Sequence, residues 1–117
     1  EVFLAQMGGA VSRRADDATA YVGRGAGYVM NVHGRWEDPD RDDAVIGWAR
    51  EVFAALESHA MGTAYVNFMP EDEGGRVRRA YGVNYARLAR VKADWDPGNV
   101  FRYNQNVPPE RLGPATV

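Results

Sequence analysis

The sequence contains no cysteine, so neither disulfide bonds nor cysteine-ligated metal sites can form. This absence leaves the cellular compartment open, because exported and cytosolic proteins can both lack cysteine. Long apolar runs are also missing, and none approaches the roughly 18 residues that a membrane-spanning helix needs. We therefore expect no membrane partner.

The chain also has little excess charge of either sign. Its 14 Lys and Arg side chains are balanced by 16 Asp and Glu, for a formal net charge of -2. Nucleic-acid-binding surfaces normally carry an excess of basic residues on one face. We therefore expect no nucleic-acid partner, and interpret Arg76, Arg78 and Arg79 as the solvated face of a helix.

What is present is typical of one globular domain. The chain has 117 residues, of which 45% are hydrophobic and 26% charged. It opens at Glu1, without a methionine or a signal-peptide pattern, directly into the apolar run Val2, Phe3 and Leu4. We therefore expect a segment of a longer protein.

Hydrophobic periodicity predicts four strands and three helices. The strongest strand is 28–36, in which Asn31 and His33 share one face; the other strands are 2–7, 20–22 and 63–68. The helices are 44–60, capped by Asp40 or Asp42, a short piece at 76–81, and 85–93, capped by Asn84. This order predicts an α+β fold, an antiparallel sheet with helices packed on one face.

The spacing of residues excludes two other kinds of site, a dinucleotide-binding loop and a calcium-binding loop. The glycine-rich stretch 23–27 lacks the third glycine of a dinucleotide fingerprint, because Tyr28 stands there. A calcium loop starting at Asp38 would place Asp43 where glycine is required and Ala49 where the bidentate glutamate belongs. The first stretch is therefore interpreted as a turn and the second as a capped helix start.

Residues 63–109 carry several spaced motifs. They are Tyr65-Val66-Asn67-Phe68, Tyr81-Gly82-x-Asn84-Tyr85-x-x-Leu88, Lys92, Asp96-Pro97-x-Asn99-Val100-Phe101, and Asn104-Gln105-Asn106-Val107-Pro108-Pro109. Together they resemble the C-terminal segment of flavin-dependent oxidases of the berberine bridge enzyme-like family.

The resemblance implies that the chain is the substrate side of a larger enzyme. Residues 1–81 would be strands and helices of its substrate domain, and 82–117 its C-terminal segment. A missing N-terminal domain would bind FAD, and the substrate would be a small alcohol, sugar or natural product. The isolated chain would then be inactive, because the cofactor performs the redox step.

The resemblance also places candidate site residues. Family members can carry a carboxylate base where Asn31 stands, five positions before the tryptophan matched by Trp36, and a second aromatic base-like residue where Phe68 stands. An amide has no useful basicity and phenylalanine has no hydroxyl, so Asn31 is predicted to orient substrate only. Tyr65 remains as a residue that positions substrate or acts as base, and His33 is a second catalytic candidate.

The predicted cofactor contacts are polar side chains of the same region. They are Tyr65, Asn67, Asn104, Gln105 and Asn106. The alternative for the three C-terminal amides is that they satisfy the backbone of an irregular buried tail. The alternative for the whole chain is a non-catalytic α+β fragment that self-associates as a homo-oligomer or binds a partner through an exposed sheet face.

Overall fold

The computed structural model of the chain describes residues 1–103 and 105–110. The strands are β1 (Val2–Gln6) and β2 (Tyr28–Val32), and the helices are α1 (Asp42–Glu57), α2 (Val77–Tyr81) and α3 (Tyr85–Trp95). Short 3-10 helices occupy Pro39–Arg41, Val66–Phe68, Glu71–Arg76 and Gly82–Asn84. The α+β class predicted from the sequence is confirmed.

β1 and β2 form an antiparallel pair in which Leu4 lies opposite Met30 and Phe3 opposite Asn31. Side chains alternate between the faces of a sheet, so Phe3 and Asn31 project to one face and Leu4 and Met30 to the other. The pairing extends at both ends, through Met7 N donating to Gly27 O at 2.8 Å and His33 N donating to Glu1 O at 2.8 Å. No further strand pairs with this sheet within the described residues.

Helix α1 begins after a capped turn and packs beside the end of β2. Asp38 caps the 3-10 turn Pro39–Arg41 by accepting a hydrogen bond from Asp40 N. The N-cap residue of α1 is Arg41, which makes no side-chain capping bond, so the predicted caps Asp40 and Asp42 are wrong. Asp42 instead accepts a hydrogen bond from the Trp36 indole. A Cβ added at Gly34 would lie 2.7 Å from Val45 Cγ1, so the helix approaches the backbone more closely than a side chain there would permit.

Two predicted strands are not strands in the structure. Residues 20–22 belong to the long loop between β1 and β2. In the segment 63–68, Val66–Phe68 is a 3-10 helix closed by Phe68 N donating to Tyr65 O at 2.9 Å. The alternating side chains predicted strands, but no neighbouring strand pairs with either segment in the described part of the sheet; residues 65–69 instead form local turn hydrogen bonds.

The prediction that the Asn84 side chain caps α3 is also wrong. Asn84 precedes α3 at the N-cap position, but its side chain makes no capping hydrogen bond. The buried amide Nδ2 donates instead to the carbonyls of Asp16, at 2.7 Å, and Thr19, at 2.8 Å. A side chain that bonds residues more than 60 positions away cannot be recognised from local sequence, because capping and tertiary bonding use the same residue types.

The predicted solvated arginine face is only partly observed. Arg78 and Arg79 are exposed, and the Arg78 guanidinium lies 4.3 Å from the Tyr85 ring centroid. Arg76 is half-buried, pairs with Glu73 at 2.7 Å and lies 4.7 Å from the Phe53 ring centroid. Its guanidinium therefore joins the 3-10 helix Glu71–Arg76 to helix α1.

The described residues form little core. The buried apolar side chains are small, Val22, Val77, Ala80 and Ala89, and lie where the loop before β2 meets α2 and α3. Large side chains such as Leu4 and Tyr28 are each 61% exposed. The radius of gyration is 17.3 Å, whereas a compact domain of this length has about 13 Å. Much apolar surface is therefore uncovered.

Two kinds of feature are absent from the described part of the chain. None of its helices combines the length and the apolar character needed to cross a bilayer. No group of three or more His, Asp or Glu side chains in it is placed to hold a metal ion.

Candidate functional site

A large open cleft lies between the sheet, α1 and the segment 59–70. Its volume is about 1090 Å³. Apolar side chains supply most of its walls, with Leu4 and Met30 from the sheet and Phe53 and Leu56 from α1. Such a lining suits a ligand that is mainly hydrophobic.

Tyr65 lines this cleft together with two other aromatic rings. The Tyr65 ring makes edge contacts with Phe68, at 4.9 Å between centroids, and with Tyr21, at 5.7 Å. Its hydroxyl accepts a hydrogen bond from Asn67 Nδ2 at 2.9 Å. Tyr65 and Asn67 therefore meet as the sequence predicts, but across one turn of 3-10 helix and not along a strand.

The sequence reasoning missed Tyr21. It lies in the loop between β1 and β2, where the strand expected at 20–22 carried no chemical role. Burial raises the pKa of the Tyr21 hydroxyl, and the nearby Arg24 guanidinium, 5.3 Å from the ring centroid, opposes that effect. No local pattern marks this tyrosine, since its neighbour Tyr65 is far away in the chain.

The C-terminal amides reach the same region. Gln105 Nε2 donates to Met69 O at 3.0 Å and to Pro70 O at 3.2 Å, directly after the turn that holds Tyr65. The side-chain oxygen of Asn106 is buried and has no hydrogen-bond partner among the described residues. Asn104, predicted with them, lies outside those residues.

Asn31 and His33 lie on β2 and directly after it. Asn31 is among the residues that line the cleft, although its cross-strand neighbour Phe3 is not. The His33 backbone is bonded to Glu1 in both directions, and its side chain is not part of the cleft wall. Asn31 therefore borders the cleft that Tyr65 lines, but its side chain projects to the sheet face opposite Leu4 and Met30, and His33 lies outside the cleft wall.

Asp96 organises the chain after α3. Its carboxylate accepts hydrogen bonds from Val100 N at 2.8 Å and Phe101 N at 3.0 Å, and from the Lys92 ammonium. Lys92 also donates to Phe101 O. The hydrogen bond from Lys92 is the main reason that the pKa of Asp96 is lowered, and burial opposes it. This network fixes the turn that leads to Gln105.

Comparison with known proteins adds to this geometry. Residues 64–108 match the family described as Berberine and berberine like. This match contains Tyr65, Asn67, Asp96, Gln105 and Asn106. The chain belongs to the berberine bridge enzyme-like family.

Similar proteins carry related names. The chain is 32% identical over 109 residues to the Uncharacterized FAD-linked oxidoreductase YvdP of Bacillus subtilis (strain 168), covering 93% of this chain and 24% of that protein. It is 36% identical over 110 residues to the Uncharacterized FAD-linked oxidoreductase YgaK of the same organism, covering 94% and 24%. It is 31% identical over 127 residues to Aclacinomycin-N/aclacinomycin-A oxidase of Streptomyces galilaeus, covering 93% and 23%.

This berberine bridge enzyme-like chain therefore spans about a quarter of the length of the curated relatives it matches. Similarity extends over nearly the whole chain, so the cleft residues before position 64 also lie within the related part. The exposed apolar side chains of β1 and β2 agree with a segment whose relatives are much longer.

Proposed function

We propose that the chain is the substrate-side segment of an FAD-dependent oxidoreductase that oxidises a small alcohol, sugar or natural product. One observation carries this proposal: Tyr65, which is hydrogen-bonded to Asn67, and Met69, which is hydrogen-bonded to Gln105 from 36 residues further along the chain, line the same large apolar cleft. The names of the related FAD-linked oxidoreductases support it.

The residues present fit a flavin. The pyrimidine edge of the isoalloxazine ring offers one N–H donor between two carbonyl acceptors. The buried oxygens of Asn99 and Asn106 have no donor among the described residues, so an N–H of this kind would satisfy either one without breaking another bond; neither residue is part of the cleft wall. The NH₂ of Gln105 is already committed to two backbone carbonyls, so its role is to hold this segment against residues 69–70.

When bound, FAD supplies the oxidising step by taking hydride from the substrate carbon. The protein's own side chains then position the substrate. Since the Tyr65 oxygen accepts from Asn67, the Tyr65 hydroxyl proton is left to donate to a substrate oxygen. The Asn31 side chain projects to the sheet face away from Leu4 and Met30, so its role in orienting substrate stays a prediction. A catalytic role for His33 stays a prediction.

The intact protein that carries residues 1–117 tests the proposal. It should purify with FAD and show anaerobic bleaching of the flavin absorbance when mixed with an alcohol or sugar substrate from a chemically diverse panel. Asn106→Leu should weaken FAD retention, whereas Arg90→Ala, an exposed change on α3, should leave FAD bound. An intact protein that holds no flavin would contradict the proposal.

A second candidate function has its own observation. Val2, Phe3 and Leu4 are exposed on a two-stranded sheet, and unpaired strand edges with apolar faces promote association. The isolated chain would then act as a self-associating, non-catalytic module. This function requires a defined oligomer by light scattering and an intact protein that binds no flavin, so the flavin absorbance of the purified intact protein distinguishes it from the first.

A further inference from the structure

The loop segment 16–24, called here the Tyr21 loop, is held on both sides of Tyr21. Asn84 donates to the carbonyls of Asp16 and Thr19, and the Asp16 carboxylate accepts from Arg24 N at 3.1 Å. Next to Tyr21, Val22 is 5% exposed. A chain held by a buried amide from α3 is fixed against the rest of the molecule.

The Tyr21 loop also packs closely against two other parts of the chain, with Gly82 against Val22 and Gly23 against Thr63. A Cβ added at Gly82 would lie 3.4 Å from Val22, and one added at Gly23 would lie 2.9 Å from Thr63 Oγ1. Gly23 also has a φ of +81°, a conformation that residues with a side chain rarely adopt. The Tyr21 loop therefore lies directly against the segment that carries Tyr65.

The result is a tyrosine placed in the wall of the cleft. The Tyr21 ring meets Tyr65 edge to face, with the ring planes at 89°. Its hydroxyl makes no hydrogen bond to another described residue, unlike that of Tyr65. Burial raises its pKa, so at neutral pH the Tyr21 hydroxyl is a hydrogen-bond donor and not a base.

We propose that Tyr21 is a second ligand-contacting residue of the cleft, and that it selects ligands whose ring carries an oxygen able to accept its hydroxyl proton. The Tyr21 and Tyr65 rings touch edge to face, with 5.7 Å between their centroids, so together they form one aromatic corner of the cleft wall. Asn84 is the positioning residue, since it fixes the loop and does not reach the cleft wall. This proposal rests on the proposed function, which makes the cleft a ligand site.

The test is isothermal titration of the intact protein with two aromatic probes of similar shape, 2-naphthol and 2-methylnaphthalene. Tyr21→Phe keeps the ring and removes the donor, so 2-naphthol should bind about 2- to 10-fold more weakly while 2-methylnaphthalene is unchanged. Tyr21→Ala removes the ring, and both probes should weaken by about threefold or more. Tyr103→Phe is the matched control, because Tyr103 is 82% exposed and outside the cleft.

Several outcomes overturn the proposal. They are parental affinity of Tyr21→Phe for 2-naphthol, equal weakening of both probes by that variant, or failure of the parent protein to bind either probe. If Tyr21→Ala does not fold by circular dichroism, Tyr21→Phe decides alone. A parent protein that shows the expected probe pattern but retains no FAD would refute the proposed function and leave the assignment of Tyr21 standing.

Discussion

The side-chain amide of Asn67 donates a hydrogen bond to the hydroxyl of Tyr65 at 2.9 Å. The two residues meet across a 3-10 turn and not along the strand that the sequence predicts. The bond occupies an acceptor site of the Tyr65 oxygen and leaves the hydroxyl proton for another partner. The chemistry of this tyrosine is therefore open to a direct test.

Tyr65→Phe in the intact protein removes the hydroxyl and keeps the ring contacts with Tyr21 and Phe68. If Tyr65 positions substrate, we expect substrate binding to weaken by roughly fivefold, since one orienting hydrogen bond contributes about 1 kcal/mol. If Tyr65 is instead the proton acceptor, the substitution should lower the rate of flavin reduction by about 10²- to 10⁴-fold and shift the pH profile of that rate. Stopped-flow flavin reduction measures the difference.

Tyr103→Phe serves again as the control for that experiment, because the Tyr103 side chain is exposed and should leave the rate unchanged. Parental rate, affinity and pH dependence in Tyr65→Phe would make Tyr65 a packing residue. The placement of its turn beside the cofactor would then have lost its chemical support.

The isolated chain should be colourless. Residues 1–117 supply the polar groups of residues 65–67 and 105–106, but the described residues leave the cleft open and much apolar surface exposed. We expect added FAD to bind weakly or not at all, because only part of its surroundings would be present. Gel filtration with absorbance at flavin wavelengths provides the measurement, and co-eluting yellow colour would refute the expectation.

The isolated chain should also self-associate. Leu4 and Tyr28 are each 61% exposed, and β1 and β2 have no further paired strand in the described residues. We expect a concentration-dependent rise in mass by light scattering, together with binding of a dye for apolar surface. Replacing Leu4 by Lys should reduce both signals, whereas Val83→Lys, on the exposed turn before α3, should reduce them less. A monodisperse monomer without dye binding is the opposite result.

Asn84→Leu should loosen the Tyr21 loop. The substitution removes the donor to the carbonyls of Asp16 and Thr19, and these two hydrogen bonds together contribute about 1–3 kcal/mol. Hydrogen exchange of amides 16–24 in the intact protein should then accelerate by about 10- to 100-fold. Arg90→Ala, an exposed change on the same helix, should alter exchange there very little. Equal protection in parent and Asn84→Leu would show that the loop is held by other contacts.

Asp96 should give acid-dependent stability. Its pKa in the folded chain is lowered, chiefly by the hydrogen bond from Lys92, and the unfolded value is about 3.9. A carboxyl group with a lowered folded pKa stabilises the fold above the unfolded pKa, and this contribution is lost as the pH falls through the folded value. The parent should therefore lose stability below about pH 4.

Thermal midpoints of Asp96→Asn should be lower than those of the parent at pH 7, and the gap should narrow as the pH falls below about 4. Asp94→Asn is the matched control, because Asp94 is exposed on the same helix. If the difference in thermal midpoint between the parent and Asp96→Asn stays constant from neutral to acidic pH, the charged form of Asp96 does not stabilise the fold.

The sequence predicts best where the signal is local. The apolar spacing of Val45, Ala49 and Leu56 yields α1 within a few residues, and the Asp96-Pro97 turn ends α3 as expected. Residues 63–68 alternate like a strand, yet alternation cannot show whether a neighbouring strand exists. Asn84 and Tyr21 depend on contacts across long sequence separations, and no local pattern encodes those partners.

The bond from Gln105 to Met69 also has a consequence for how the protein is made. The ribosome must add 36 residues after Met69 before Gln105 exists. A nascent chain that has passed Trp95 already contains every residue of the three helices, but it has no Gln105 amide to hold residues 69–70. A message with a premature stop codon after position 95 would therefore yield a protein that retains all the residues of its helices and never completes its candidate site.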